Sequence, residues 1–229
     1  MRRRVLEISK KNINKHQKSI LWFFGIFGCL ILPVLLILFG MQGDIIEDSL
    51  SDVGGKYGHY TQLVYLSLGF CIYYAVGGWY VLKLCGYKDY IMPSIYVVGV
   101  LLYFITVVVP FLPSELPILA DIHNILARVS IAIMLPCVFW FTLCLFYVDK
   151  WIALGSIVIF LSIIGLVIWL IVKFGTCIIG EFVLQIYLCV HIFAELLIMT
   201  KKNVADHKRF FAEAYCLIKQ LKAKLNGQL

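Results

Sequence analysis

Charge is scarce in this chain. Asp, Glu, Lys and Arg together make up 14% of its 229 residues, against 62% that are hydrophobic. A soluble globular domain carries roughly a quarter charged residues, so this balance excludes one. Paired thiol motifs are also missing. There are eight cysteines but no C-x-x-C, which speaks against a thiolate metal site. Cys29, Cys71, Cys137, Cys144 and Cys189 fall inside apolar stretches, and only Cys177 falls in an outer loop. The cysteines therefore read as small buried hydrophobes, with no disulfide framework. No Gly-x-x-x-Gly lies inside an apolar stretch, which removes the sequence argument for a tight helix dimer. No A-x-A site follows the first apolar run, itself longer than a signal-peptide core, so that run reads as a retained span.

Long apolar runs are what the chain does have: Ile20–Met41, Tyr60–Leu82, Tyr90–Leu112, Ile122–Val148, Trp151–Val172 and Phe182–Thr200. At 1.5 Å rise per residue, about 20 mostly apolar residues cross the hydrocarbon core. Only a helix satisfies its own backbone there within one segment. The fold class is therefore all-α: a polytopic membrane protein with six transmembrane helices in one bundle. Residues 1–19 form a basic tail, 20–200 the transmembrane domain, and 201–229 a second basic tail.

Lys and Arg collect on the cytoplasmic side of membranes. Arg2, Arg3, Arg4, Lys10, Lys11, Lys15 and Lys18 precede the first span, and Lys83, Lys88 and Lys150 sit in alternate loops. Seven more basic residues follow the last span. Both termini are accordingly read as cytoplasmic. Asp44, Glu47, Asp48, Asp52, Glu115, Asp121 and Glu181 then lie on the outer side. The net charge of +7 follows from this topology and calls for no nucleic-acid partner. In the C-terminal tail Val204, Phe211, Tyr215, Ile218, Leu221 and Leu225 recur at helical spacing among lysines. Such a basic amphipathic helix is expected to lie on anionic inner-leaflet lipid. Membrane lipids are thus the expected partners; no protein partner is named by the sequence.

Pro93 falls in the first turn of the third span, where its missing N–H costs little. Pro110, Pro113 and Pro117 mark the exit from that span. Pro33 and Pro136 lie mid-span and are expected to kink their helices. The longest connection between spans, Gln42–His59, is outer and acidic, and its Ser51-Asp52-Val53-Gly54 stretch reads as a turn.

Polar residues at membrane depth are costly, and so mark candidate sites. Asp121, Asn124 and Arg128 share one helix face by their i, i+3, i+7 spacing, with His123 on a neighbouring face. In the last span Glu181, Gln185, His191 and Glu195 fall within one arc, with His191 and Glu195 an i, i+4 pair. Asp52, His59, Asp121, His123, Arg128 and Glu181 form the candidate polar cluster, ligand-binding or structural. In the structural version Arg128 pairs with an outer acid such as Glu181, Asp52 or Glu115. No catalytic residue, metal ligand or cofactor is assigned.

Asp48-Ser-Leu-Ser-Asp-Val-Gly54 after the first span, with an aromatic-rich second span, resembles the six-span Frag and DRAM-type membrane proteins and their bacterial relatives. Ser51, Asp52 and Gly54 match that family's Ser-Asp/Glu-x-Gly element. His123 matches its histidine at the start of the fourth span, and Gly180-Glu181 a Glu-containing element of bacterial members. The resemblance implies a compact six-helix bundle in a bacterial cell membrane, with its polar cluster on the outer side. A more distant likeness is to the zinc hydrolases of the alkaline-ceramidase and adiponectin-receptor kind. Against it, Glu195 stands where an H-x-x-x-H pair would place a second histidine, and those enzymes have seven spans. Three functions follow, in order of preference: a non-enzymatic lipid- or partner-binding protein, a metal-dependent lipid hydrolase, and a small-molecule transporter. The last is weakened by the lack of matched helix breaks in the two halves.

Overall fold

The computed structural model describes residues 19–85 and 90–201. Both basic tails, with the C-terminal amphipathic helix expected there, lie outside the described residues. Six helices are long and apolar enough to cross a membrane: α1 Ser19–Gly40, α3 Tyr60–Leu84, α4 Ile91–Val108, α5 Pro117–Cys144, α6 Lys150–Phe174 and the span Ile178–Thr200. The last of these belongs to α7, Ile178–Lys201. A short helix, α2 Leu50–Gly55, lies between the first two spans. No strand occurs among the described residues. The protein is an integral, multi-pass, all-α membrane protein. Trp22, Leu38, Tyr65, Ile118, Val158 and Val172 leave more than half their surface outside the bundle, an apolar exterior that only lipid can cover without cost.

Several span ends differ from the sequence reading: the fourth span ends at Cys144 rather than Val148 and the last starts at Ile178 rather than Phe182, and the connection between the third and fourth spans changes most. The third span stops at Val108 rather than Leu112, because Pro110 cannot continue the hydrogen-bond ladder. The fourth starts at Pro117 rather than Ile122, since proline suits the first turn, whose N–H groups have no intrahelical partner. The connection at 109–116 is therefore short and tight.

Pro33 acts through a wider turn. Residues Phe27–Ile31 form a π-helical segment, and Leu32 N–H reaches back to the Phe27 carbonyl. Opening the turn accommodates a proline that lacks an N–H and crowds the preceding turn.

The helix α3 is the most buried span. It packs against α1, α4 and α7, while α5 packs on α4 and α6. Tyrosine hydroxyls join these helices through backbone carbonyls: Tyr73 donates to Cys189 at 2.8 Å and Tyr96 to Tyr74 at 3.0 Å. Such bonds let large aromatics fill the core without stranding a hydroxyl. Two glycines make the approach feasible. A Cβ at Gly28 would fall 2.1 Å from the Tyr73 ring, and one at Gly78 would fall 2.2 Å from Tyr96.

The outer loop is ordered by Asp48, which is almost fully buried. Its carboxylate accepts from Asp44 N at 2.8 Å, Tyr57 Oη at 2.9 Å and Lys56 Nζ at 3.1 Å. Its carbonyl accepts from Ile178 N at 2.8 Å, and Ile45 O accepts from Ile179 N at 3.2 Å. The loop is thereby fastened to the start of α7. Burial alone would push the Asp48 carboxyl up, but the Asp44 amide, Lys56 and Tyr57 outweigh it and hold it below its usual range. The Asp48 carboxylate in turn raises Lys56.

The stretch read as a turn from sequence is instead the helix α2. Ser49 caps it: Asp52 N donates to Ser49 Oγ at 3.1 Å, and Ser49 N donates to Asp52 Oδ2 at 2.8 Å. This reciprocal box satisfies two amides that a short helix cannot satisfy itself.

Candidate functional site

Capping α2 places Ser51 on the helix face that looks into the bundle. There it meets His123 of α5, which is 6% exposed. Ser51 Oγ lies 3.0 Å from His123 Nε2, and His123 Nδ1 lies 2.9 Å from the Val109 carbonyl. That carbonyl is left without a helical partner because α4 breaks before Pro110. A carbonyl can only accept, so the neutral imidazole carries its proton on Nδ1; this tautomer is assigned from its partners. Nε2 is then an acceptor, and the Ser51 hydroxyl donates to it. Phe111 packs against the imidazole at 5.2 Å between ring centroids.

Glu181, in the first turn of α7, accepts from Leu50 N at 2.7 Å. It holds the residue next to Ser51 and so fixes the start of α2. One turn further on, Gln185 bridges two helices. Its carbonyl oxygen accepts from Tyr74 Oη at 2.5 Å and its amide donates to Tyr103 Oη at 3.0 Å.

These groups line one cavity of about 140 Å³. Its outer end carries Ser51, His123, Glu181, Gln185 and Thr106; its deeper wall is Phe70, Met134, Leu135 and Leu188. For scale, an apolar cavity of about 150 Å³ accommodates benzene. The cavity lies between α5 and α7, with Leu36 of α1, Ser67 of α3 and Thr106 of α4 closing its other sides. Ile131 lines it and is also 42% exposed on the lipid-facing surface of α5. Ser130, on the same wall, is 1% exposed, and its Oγ has no hydrogen-bond partner in the protein.

Of the residues singled out from sequence, the structure brings His123 and Glu181 to this cavity. Asp52 turns back into the cap of α2. His59 precedes α3 and lies outside the cavity lining. Asp121 and Arg128 are exposed on α5. Arg128 makes no ion pair among the described residues, and Glu181 is held by a backbone amide. The expected clamp between Arg128 and an outer acid is therefore not formed: the face shared by Asp121, Asn124 and Arg128 points away from the core, and the His123 face points in.

His191 and Glu195 do meet, deeper in the bundle. Nε2 of His191 lies 3.0 Å from Glu195 Oε1, an ion-pair contact between two buried side chains. His191 also contacts Thr142 Oγ1 at 2.9 Å and Tyr187 Oη at 3.1 Å.

Ser51 and Ser130 were not among the sequence candidates. For Ser51 a signal existed in Ser49-x-x-Asp52, a capping-box spacing that makes a helix of what reads as a turn. For Ser130 the signal was its i+7 spacing from His123 on one helix face.

The chain matches no family model and shows no significant similarity to any curated protein or solved structure.

Proposed function

We propose that the protein binds a membrane lipid, or an amphiphile derived from one, in the cavity between α5 and α7. The membrane would be a bacterial cell membrane, as the Frag/DRAM-type resemblance implies. A carbonyl or hydroxyl of the ligand meets Ser51, His123 and Ser130 at the polar wall. The first carbons of its hydrocarbon lie against Phe70, Met134 and Leu188, and the rest of the chain extends past Ile131 into the bilayer. The observation that carries this reading is the buried Ser130 hydroxyl, which has no partner in the protein and lines the cavity. A buried polar group left unpaired costs about 1–3 kcal/mol, and a ligand acceptor removes that cost.

Native mass spectrometry of the protein released from membranes tests this. The wild-type chain should retain a bound lipid through mild activation. Ala127→Phe, which places a ring in the cavity, should lose it while remaining folded and monodisperse. Equal retention by both proteins, or none by the wild type, overturns the reading.

A further inference from the structure

The bonds around His123 leave its Nε2 as a base toward a serine hydroxyl, and that hydroxyl lines the cavity. We propose that Ser51 is a nucleophile and His123 its general base, acting on an acyl ester of the ligand that the cavity binds. The inference rests on the binding reading above and adds a reaction class, acyl transfer, to it.

Three features support it. First, nucleophile and base lie within hydrogen-bond reach, and the base is oriented by a third group, here the Val109 carbonyl. In this arrangement a backbone oxygen holds the tautomer, a task that a carboxylate performs in Ser-His-Asp triads. Second, Ser51 is only half-buried and faces a space large enough for a substrate carbonyl. Third, its position is over-determined: the Ser49–Asp52 box fixes α2, and Glu181 of α7 accepts from Leu50 N. A serine needed only as a spacer in an outer loop would require neither support.

Ser51 Oγ attacks the ester carbonyl carbon and forms a C–O bond, while the hydroxyl proton moves to His123 Nε2. The bond from carbonyl carbon to alcohol oxygen breaks, and His123 returns that proton to the departing alcohol. Water then attacks the acyl-serine, again giving its proton to Nε2. The fatty acid leaves and the hydroxyl of Ser51 is restored. No oxidant, reductant or metal enters.

The test uses the full chain in lipid nanodiscs with a long-chain alkyl fluorophosphonate. This probe phosphonylates an activated serine and releases fluoride. Intact mass should show one adduct per chain, and peptide mapping should place it on Ser51; the mapping needs no variant. Ser51→Ala should abolish the adduct. His123→Gln, which removes the base, should slow its formation by about 10²-fold or more, the range for loss of a general base. Absence of the adduct, its location on another residue, or an unchanged rate in His123→Gln overturns the inference. Lipid retention by the same wild-type sample separates the two claims. Retained lipid without an adduct defeats acyl transfer alone, whereas failure to retain lipid defeats the binding reading.

Discussion

The bundle contains two histidine–hydroxyl pairs at nearly equal distance, one in each half. In the outer half His123 meets Ser51 at 3.0 Å; in the inner half His191 meets Thr142 at 2.9 Å. Their surroundings give them opposite protonation patterns. His123 gives its Nδ1 proton to the Val109 carbonyl, which leaves Nε2 to accept from Ser51. Thr142 instead donates to the Val138 carbonyl at 3.2 Å, and the Glu195 carboxylate sits 3.0 Å from His191 Nε2. The inner imidazole therefore keeps its proton on Nε2 and accepts from Tyr187 at Nδ1. Thr142 is fully buried and lines no part of the cavity, whereas Ser51 faces it. Similar side chains thus form a reactive pair in one place and an internal tie in the other. What separates them is the carbonyl freed at Pro110 and the space beside Ser51.

The heaviest loss of stability is expected in the inner half. His191→Leu leaves Glu195 buried without its partner and should destabilise the fold by about 3 kcal/mol. His123→Gln should cost about 1 kcal/mol, since it loses hydrogen bonds beside an open cavity rather than a sealed one. Denaturant unfolding in a fixed detergent measures both, and equal losses would erase the distinction. Next comes Ser49→Ala, which removes the cap of α2 at a cost of about 1 kcal/mol. It should also slow probe labelling at Ser51 while leaving His191 and its partners intact.

A smaller effect is confined to acid. Asp48 has its carboxyl held below its ordinary value of 3.8 in the folded protein. Its stabilisation is complete above that value and is lost as pH falls through the lower folded value. Asp48→Asn should therefore flatten the acid limb of a stability–pH curve and leave the slope near neutrality unchanged. Thermal unfolding between pH 5 and 2 reads it, and an unaltered acid limb would remove Asp48 as the loop anchor. Smallest of all is Arg128→Leu, expected within ~0.5 kcal/mol because the side chain is exposed and holds no acid. A loss of several kcal/mol would restore the clamp.

The six spans were legible because hydropathy over about 20 residues is a long, redundant signal. So were the costly residues His123 and Glu181, since any polar group at membrane depth stands out. Helical period placed Asp121, Asn124 and Arg128 on one face but could not say that this face points outward. That depends on which side of α5 meets α4, a matter of packing between distant segments. The Ser51–His123 pair was illegible for a similar reason. It joins residues 72 positions apart, across two turns whose geometry is set by the cap at Ser49 and the break at Pro110. Local patterns name the elements; only their packing turns a loop serine toward a histidine.

The tautomer of His123 decides whether Ser51 can give up its proton. Nitrogen-15 NMR of histidine-labelled protein in nanodiscs, assigned with His123→Gln and His191→Leu, distinguishes protonated from bare ring nitrogens at each site. The account predicts a protonated Nδ1 and bare Nε2 at His123, and the reverse at His191. A protonated Nε2 at His123 near neutral pH would contradict it, because that nitrogen could then take no proton from Ser51.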